Sequence, residues 1–384
     1  MKPTIFFATR ARGHRKALLE NKNLDFEFAY KEQKIQYGST SLKTKILSNL
    51  IRNRIFDWLG VIQKVKPQAS YTMYGSENRF LNINKPYFIH VENPTALYHY
   101  CLNRNKTFFG KRKIRSCLNN PNLYALLFFC KKCEETFEEV CGKIPPHIHR
   151  QVIYCLVPTN PFVTKESIMS KGQISLRLLF CVQGIYFFSK GGLEVIESMK
   201  KLQYNSIQCT IITNLDIVGE ELCENIRNLG INLLDFKLNK EEMQKVYAET
   251  DVLLQPTSQD SCPLTILEAM KAGCTVIASR LYAIPEWVED GKNGFLTDPA
   301  YWFFNQDGTP NPSVWNHRKS TIYSGNISDR IVDFLVEKIT LLNNDRELLR
   351  KMCLCSYEIA NNTPFDEKTI ISQWNKVFQI MKRE

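Results

Sequence analysis

Acidic residues are scarce at the front of this 384-residue chain: residues 1–160 hold 11 Asp+Glu against 26 Lys+Arg, a net of +15. Residues 161–384 hold 28 against 24, a net of −4, so the overall +11 belongs to the front half. Long apolar runs are missing too. Without a stretch near 18 residues, no helix is expected to cross a bilayer, and Pro3–Ala8, followed at once by Arg10, Arg12, Arg15 and Lys16, does not resemble a secretory leader. There is no Pro/Gly-rich, Gln-rich or heptad tract, which argues against disorder and fibre, and no internal repeat. The 13 cysteines are an odd number without framework spacing. A reducing, cytoplasmic setting is expected, with most thiols filling the core. Cys130 and Cys133 have a C-x-x-C spacing, but no second Cys or His pair follows at zinc-ribbon distance, so a structural role is expected. RNP, KH-like and zinc-finger signals are lacking as well, and no nucleic-acid partner is expected.

What the chain does have is alternation. Short apolar runs such as Thr4–Thr9, Tyr87–Val91, Leu176–Val182, Val252–Gln255 and Thr275–Ala278 predict buried strands, and amphipathic segments between them predict helices, among them Leu42–Val65, Gly191–Lys201 and Pro263–Ala272. Strand–helix–strand repeated twice predicts two α/β domains with largely parallel sheets. The expected boundaries are residues 1–160 for the first domain, 161–173 for a linker, 174–364 for the second domain and 365–384 for a C-terminal helix.

The most informative segment is 251–298, in which strand Asp251–Gln255 enters a polar loop, Pro256–Cys262, and then a helix starting near Pro263. Free amides and the positive end of the macrodipole make such a helix start an anion site, and in open α/β sheets ligands bind outside the carboxyl ends of strands. Two carboxylates lie eight residues apart here, Asp260 before the helix and Glu268 within it. They are either ordinary solvated charges or acceptors for sugar hydroxyls, since an ionised carboxylate takes two hydrogen bonds side by side and so suits a diol.

The whole run resembles the signature region of family 4 glycosyltransferases of the GT-B fold, in which a strand ending in Pro-Ser precedes an E-x7-E pair, L-E-A-M-A-x-G, a V-I-A-S strand and P-E-x-V-x-D-G-x-x-G-x-L. The matching elements are Asp251–Pro256, Asp260 with Glu268, Glu268–Gly273, Val276–Ser279 and Pro285–Leu296. The resemblance implies two Rossmann-like α/β domains facing a cleft, with a C-terminal helix packing back towards the first. It also implies transfer of a sugar from a nucleotide-sugar donor to a saccharide or polyprenyl-linked saccharide, retaining and without a metal or other cofactor. No D-x-D triplet is present to hold a metal as GT-A enzymes do. By the same resemblance Glu268 takes the ribose diol, Asp260 positions the sugar, and the amides of Leu264 and Thr265 meet phosphate. Leu178–Leu193 is similar to the family's G-R-L-x-x-x-K-G turn. Gly184, Lys190 and Gly191 are in register there, Lys190 being the cation for the diphosphate, while Ile185 stands at the family's Arg. Asp260 stands where Glu is usual, and Tyr282-Ala283 replace a Gly pair.

In the front half, Arg12 and Gly13 lie in a loop after the first strand where the fold approaches phosphate. His90, ending a strand, is the expected polar group near the reacting centre, with Glu92 beside it. The +15 charge predicts an anionic acceptor or a peripheral place on the inner face of an anionic membrane, as in cell-surface polysaccharide, capsule, lipopolysaccharide or glycolipid synthesis. A catalytically inactive nucleotide-sugar-binding partner and a GT-B sugar-nucleotide epimerase are the alternatives.

Overall fold

The computed structural model describes residues 2–10, 15–31, 53–202 and 206–382. The chain divides into two compact units: Met1–Leu156 with Asp307–Pro310 and Lys368–Glu384, and Val157–Gln306 with Asn311–Glu367.

In the first unit six strands form a parallel sheet: β1 (Thr4–Phe7), β2 (Glu27–Tyr30), β3 (Met73–Glu77), β4 (Tyr87–Val91), β5 (Leu123–Phe128) and β6 (His149–Val152), ordered β2-β1-β3-β4-β5-β6. Both β3 and β4 are buried at every residue, which is why β4 reads as a continuous rather than alternating apolar run, while β3 buries Ser76 and Glu77 within the sheet. The flanking helix Lys131–Cys141 turns Cys133, Phe137, Val140 and Cys141 inward, and the Cys130 thiol accepts from the Cys133 amide at its start. The C-x-x-C pair is thus a helix cap and a core filler. The last helix, Glu367–Lys382, packs Trp374 against Phe88 and His90 with ring centroids 5.2 and 5.4 Å apart.

In the second unit β7 (Leu176–Cys181), β8 (Ile207–Thr213), β9 (Asn232–Asp235), β10 (Val252–Gln255), β11 (Thr275–Ser279) and β12 (Gly294–Thr297) form a parallel sheet ordered β12-β11-β10-β7-β8-β9. Chain order reverses between β7 and β10, and the crevice beyond such neighbouring strands is the usual ligand site of a doubly wound sheet. Arg177 and the fully buried Asp251 form a two-pronged ion pair that fixes these two strands side by side.

Three expectations change. The helix expected over Leu42–Val65 lies outside the described residues up to 52. Beyond them only Arg54–Trp58 is helical, because Gly60 turns at φ 62° and Val65 bridges Leu81. Residues 161–173 hold a capped helix, Lys165–Met169, with Ile168 buried, and Lys171 is buried with its ammonium on the carbonyls of Ala248 and Thr250. Strands β2 and β12 were not anticipated: Phe26, Phe28 and Tyr30 alternate with acidic and small residues, and β12 is a four-residue edge.

Candidate active site

The loops leaving β7 and β10 are joined before any ligand is considered. The Ser258 amide donates to the Ser189 carbonyl at 2.9 Å, and Gly191 sits so close to the second loop that a Cβ there would lie 2.6 Å from the Pro256 carbonyl oxygen. Gly191 adopts φ 82° as it opens the helix Gly192–Lys201, so both the space and the backbone call for glycine. Gly184 donates its amide to Asn214 Oδ1 at 2.9 Å, and a Cβ on it would meet Ile217 at 2.8 Å.

Between these loops Lys190 Nζ lies 2.9 Å from Asp260 Oδ1. The other carboxylate oxygen, Oδ2, accepts from Gln255 Nε2 at 3.1 Å. Gln255 is fully buried at the end of β10, an amide inside an otherwise apolar strand, and it aims Asp260 back toward Lys190. A buried polar group in a strand needs such a partner. The site residues predicted for sugar and phosphate are therefore already mutually bonded.

Glu268 is on the helix Leu264–Lys271, whose Ile266, Leu267, Ala269 and Met270 are buried. Its Oε2 accepts from the Tyr247 hydroxyl at 2.9 Å. Protein crowding raises the Glu268 pKa above the ordinary carboxylate value, while the Tyr247 bond and the Lys240 charge pull it down; the side chain remains open to solvent on one side. Tyr247 is itself buried, and burial first, then the Glu268 charge, hold its pKa far up, so it stays a donor. Burial first, and then the Glu268 charge, push the Cys181 thiol at the end of β7 up against the opposing charge of Lys190. The helix begins at Leu264 with Pro263 as its cap rather than its first residue. Among the described residues the amides of Leu264 and Thr265 have no acceptor.

Ile185, where the resemblance expects Arg, is half exposed on the turn Gly184–Tyr186. Tyr282, in place of a Gly, holds φ 49° and turns its ring onto Phe304, with centroids 4.5 Å apart. Its bulk goes into an aromatic cluster with Phe304, Phe303 and Trp315.

In the first unit the expectation for His90 is corrected. The ring is 1% exposed, Nε2 donates to the Ile153 carbonyl at 2.9 Å, and Nδ1 therefore accepts from Arg15 Nη1 at 2.7 Å. Arg15 Nε is bonded to Glu77 at 2.7 Å, and both side chains are buried. His90 is thus a core imidazole with both nitrogens engaged, locked against Phe129 and Trp374. Glu92 is half-buried and takes the Asn78 side-chain carbonyl at its own amide, 2.8 Å away. Arg12 and Gly13 lie outside the described residues. Sequence reasoning did not single out Gln255, Tyr247 or the Arg15–Glu77 pair. Only Gln255 carried a signal, as an amide in a buried strand. Among the described residues no group of three or more His, Cys, Asp or Glu is arranged to hold a metal, and no helix is long and apolar enough to cross a membrane.

Residues 177–302 match the family described as group 1 glycosyl transferases. The chain resembles the sulfoquinovosyl transferase SQD2 of Arabidopsis thaliana, 37% identical over 66 residues, which are 16% of this chain and 13% of that protein. It also resembles the D-inositol 3-phosphate glycosyltransferase of Corynebacterium diphtheriae, 36% identical over 116 residues, which are 28% of this chain and 27% of that protein. The matched segments thus span about an eighth to a quarter of these curated relatives. In three dimensions the likeness is far broader. Anabaena Alr3699/HepE, solved in complex with UDP, superposes with a TM-score of 0.60 over 99% of this chain and 100% of its own, at 15% identity. Sucrose-phosphate synthase of Thermosynechococcus elongatus superposes with a TM-score of 0.58 over 98% of this chain and 88% of its own, at 12% identity. Residues 177–302 are therefore similar to the group 1 glycosyl transferases, and the chain has a GT-B fold.

Proposed function

We propose that this chain is a glycosyltransferase that takes a sugar from a nucleoside diphosphate donor bound by the second unit and moves it to a saccharide or lipid-linked saccharide acceptor. The observation that carries this is the Lys190–Asp260 pair across the loops leaving β7 and β10, followed by a helix with open amides at Leu264 and Thr265 and Glu268 along it. Glu268, steadied by Tyr247, suits the ribose diol, and Asp260 suits hydroxyls of the sugar. Lys190 and the helix start would stabilise the charge that grows on the leaving diphosphate as the glycosidic bond breaks. The transfer we propose is retaining and needs no metal: the acceptor attacks from the leaving-group face, and a phosphate oxygen takes its proton. The positive first unit supports an anionic acceptor or membrane surface, as in polysaccharide or glycolipid assembly.

Thermal-shift screening against UDP-, GDP-, dTDP- and CMP-sugars, repeated with Glu268→Ala, tests the donor site. A stabilisation by one donor that Glu268→Ala abolishes supports it, and one that survives unchanged removes the ribose assignment. One observation favours a second reading. Ile185 leaves the turn without its Arg, as a nucleotide-sugar-binding partner without turnover would have it. Slow release of nucleoside diphosphate from the stabilising donor would exclude that role. Interconversion of the donor alone, without acceptor, would mark an epimerase instead.

A further inference from the structure

Two segments of the first unit that are far apart in sequence meet to expose an apolar face. The helix Arg54–Trp58 lies against the helix Phe108–Leu118, with Trp58 and Phe109 edge to face at 5.2 Å. A Cβ on Gly60 would stand 2.3 Å from the Gly110 amide, so the backbones touch without intervening side chains. Arg104, fully buried, bonds Asp57 at 2.9 Å and the Val61 carbonyl at 2.8 Å, tying the two segments from within. The inner face is an ordinary core of Ile114, Cys117 and Leu118. The outer face is not. Phe108 is 72% exposed, Ile55 65%, Trp58 61%, Leu59 46% and Phe109 40%. Scattered exposed apolar residues mean nothing, but a contiguous set of large ones does.

We propose that this face docks the chain onto an anionic lipid bilayer. It deepens the membrane part of the functional reading above and rests on it, but it is independent of catalysis. Charge selects the partner. Along the same helix Lys111, Arg112, Lys113 and Arg115 are exposed, Lys106 precedes them, and residues 103–116 contain no acidic residue. The only acid in residues 53–64, Asp57, is held by Arg104. Aromatic and aliphatic side chains beside an acid-free basic row suit the boundary between acyl chains and anionic headgroups. There the rings enter the apolar layer, Trp58 favours the interface, and the cations meet the headgroups.

The test uses the full chain and vesicles of equimolar phosphatidylcholine and phosphatidylglycerol, with phosphatidylcholine alone as the neutral arm, read by co-sedimentation. Native protein should bind the anionic vesicles and release as salt rises. The Phe108→Ser/Trp58→Ser double variant should lose at least tenfold in partitioning. Lys111→Gln/Arg112→Gln should lose about fivefold per charge, the equivalent of ~1 kcal/mol for each basic residue near an anionic surface. The unliganded melting temperature checks that each variant is folded. No binding by the native chain overturns the membrane reading itself. Binding that both variants keep overturns this face alone. Equal binding to neutral vesicles overturns the role of the basic row. A dimer in light scattering that the Phe108/Trp58 variant dissolves shows that a second copy, not lipid, covers the face.

Discussion

Lys190 and Asp260 hold each other at 2.9 Å across the loops that leave β7 and β10, so the cation expected to meet the donor diphosphate is already neutralised. Donor binding must redistribute this pair. Replacing Asp260 by Asn frees the ammonium and removes a negative charge beside the phosphates. UDP should then bind about three- to tenfold tighter, the scale of one charge-assisted contact. Transfer should fall by a hundredfold or more, since the sugar loses its positioning carboxylate. Isothermal titration and initial rates measured side by side check the split, and weaker UDP binding would count against it.

Glu268 carries a pKa raised by the protein around it. A carboxyl whose folded pKa lies above its unfolded value binds its proton more tightly when folded, so stability falls as pH rises through that window and the penalty is complete above it. Glu268→Gln should therefore raise the melting temperature at neutral pH and make no difference at pH values below the unfolded carboxyl pKa. Donor affinity should fall about tenfold or more in the same variant, because the diol loses a charged acceptor. Melting curves across pH, with and without donor, read both effects.

Tyr247 is the group that orients Glu268, through a hydrogen bond of 2.9 Å. Tyr247→Phe removes a bond that lowers the carboxyl pKa, so the pH below which donor affinity is lost should move upward. At neutral pH the loss should be modest, about fivefold, on the scale of ~1 kcal/mol for one hydrogen bond. A donor-affinity profile against pH separates this from a merely structural role, which would lower affinity without moving the profile.

The parallel α/β architecture was legible because the central strands are buried on both faces and so appear as unbroken apolar runs, as Tyr87–Val91 does residue for residue. Asp260 and Glu268 were picked out only through the resemblance of the whole 251–298 run to a family signature, because two carboxylates eight residues apart read alone as ordinary solvated charges. His90 misled for a physical reason: a histidine ending a buried strand looks the same in sequence whether its ring meets a substrate or, as here, Arg15 and the Ile153 carbonyl. Those partners come from positions 75 residues before it and 63 after it, a pairing that only the sheet order β1-β3-β4-β5-β6 creates. Tyr247 was invisible for the same reason, its partner being 21 residues away on another helix.

Arg15, Glu77 and His90 form a buried network in the first unit. Arg15→Met leaves the Glu77 carboxylate without its cation and should cost about 3–5 kcal/mol of unfolding free energy. Adding Glu77→Gln should recover much of that loss. His90→Asn should destabilise without changing donor affinity. Urea denaturation of the set gives the answer, and a His90 variant of native stability with abolished turnover would return that residue to the chemistry.

Ile185 occupies a turn that in the resembled family carries Arg, and its side chain is 50% exposed with Lys190 on the same loop. An Arg there adds a planar, permanently charged fork where Lys190 offers a point charge committed to Asp260. A single charge-assisted hydrogen bond contributes ~1.5–3 kcal/mol, and one made to the departing diphosphate acts in the transition state more than in the ground state. Ile185→Arg should therefore raise kcat by at least tenfold with little change in the KM for donor. Rates of nucleoside diphosphate release under saturating donor check this. An Arg that tightens donor binding and leaves kcat where it was would mean that the site already neutralises the leaving group through Lys190 and the amides of Leu264 and Thr265.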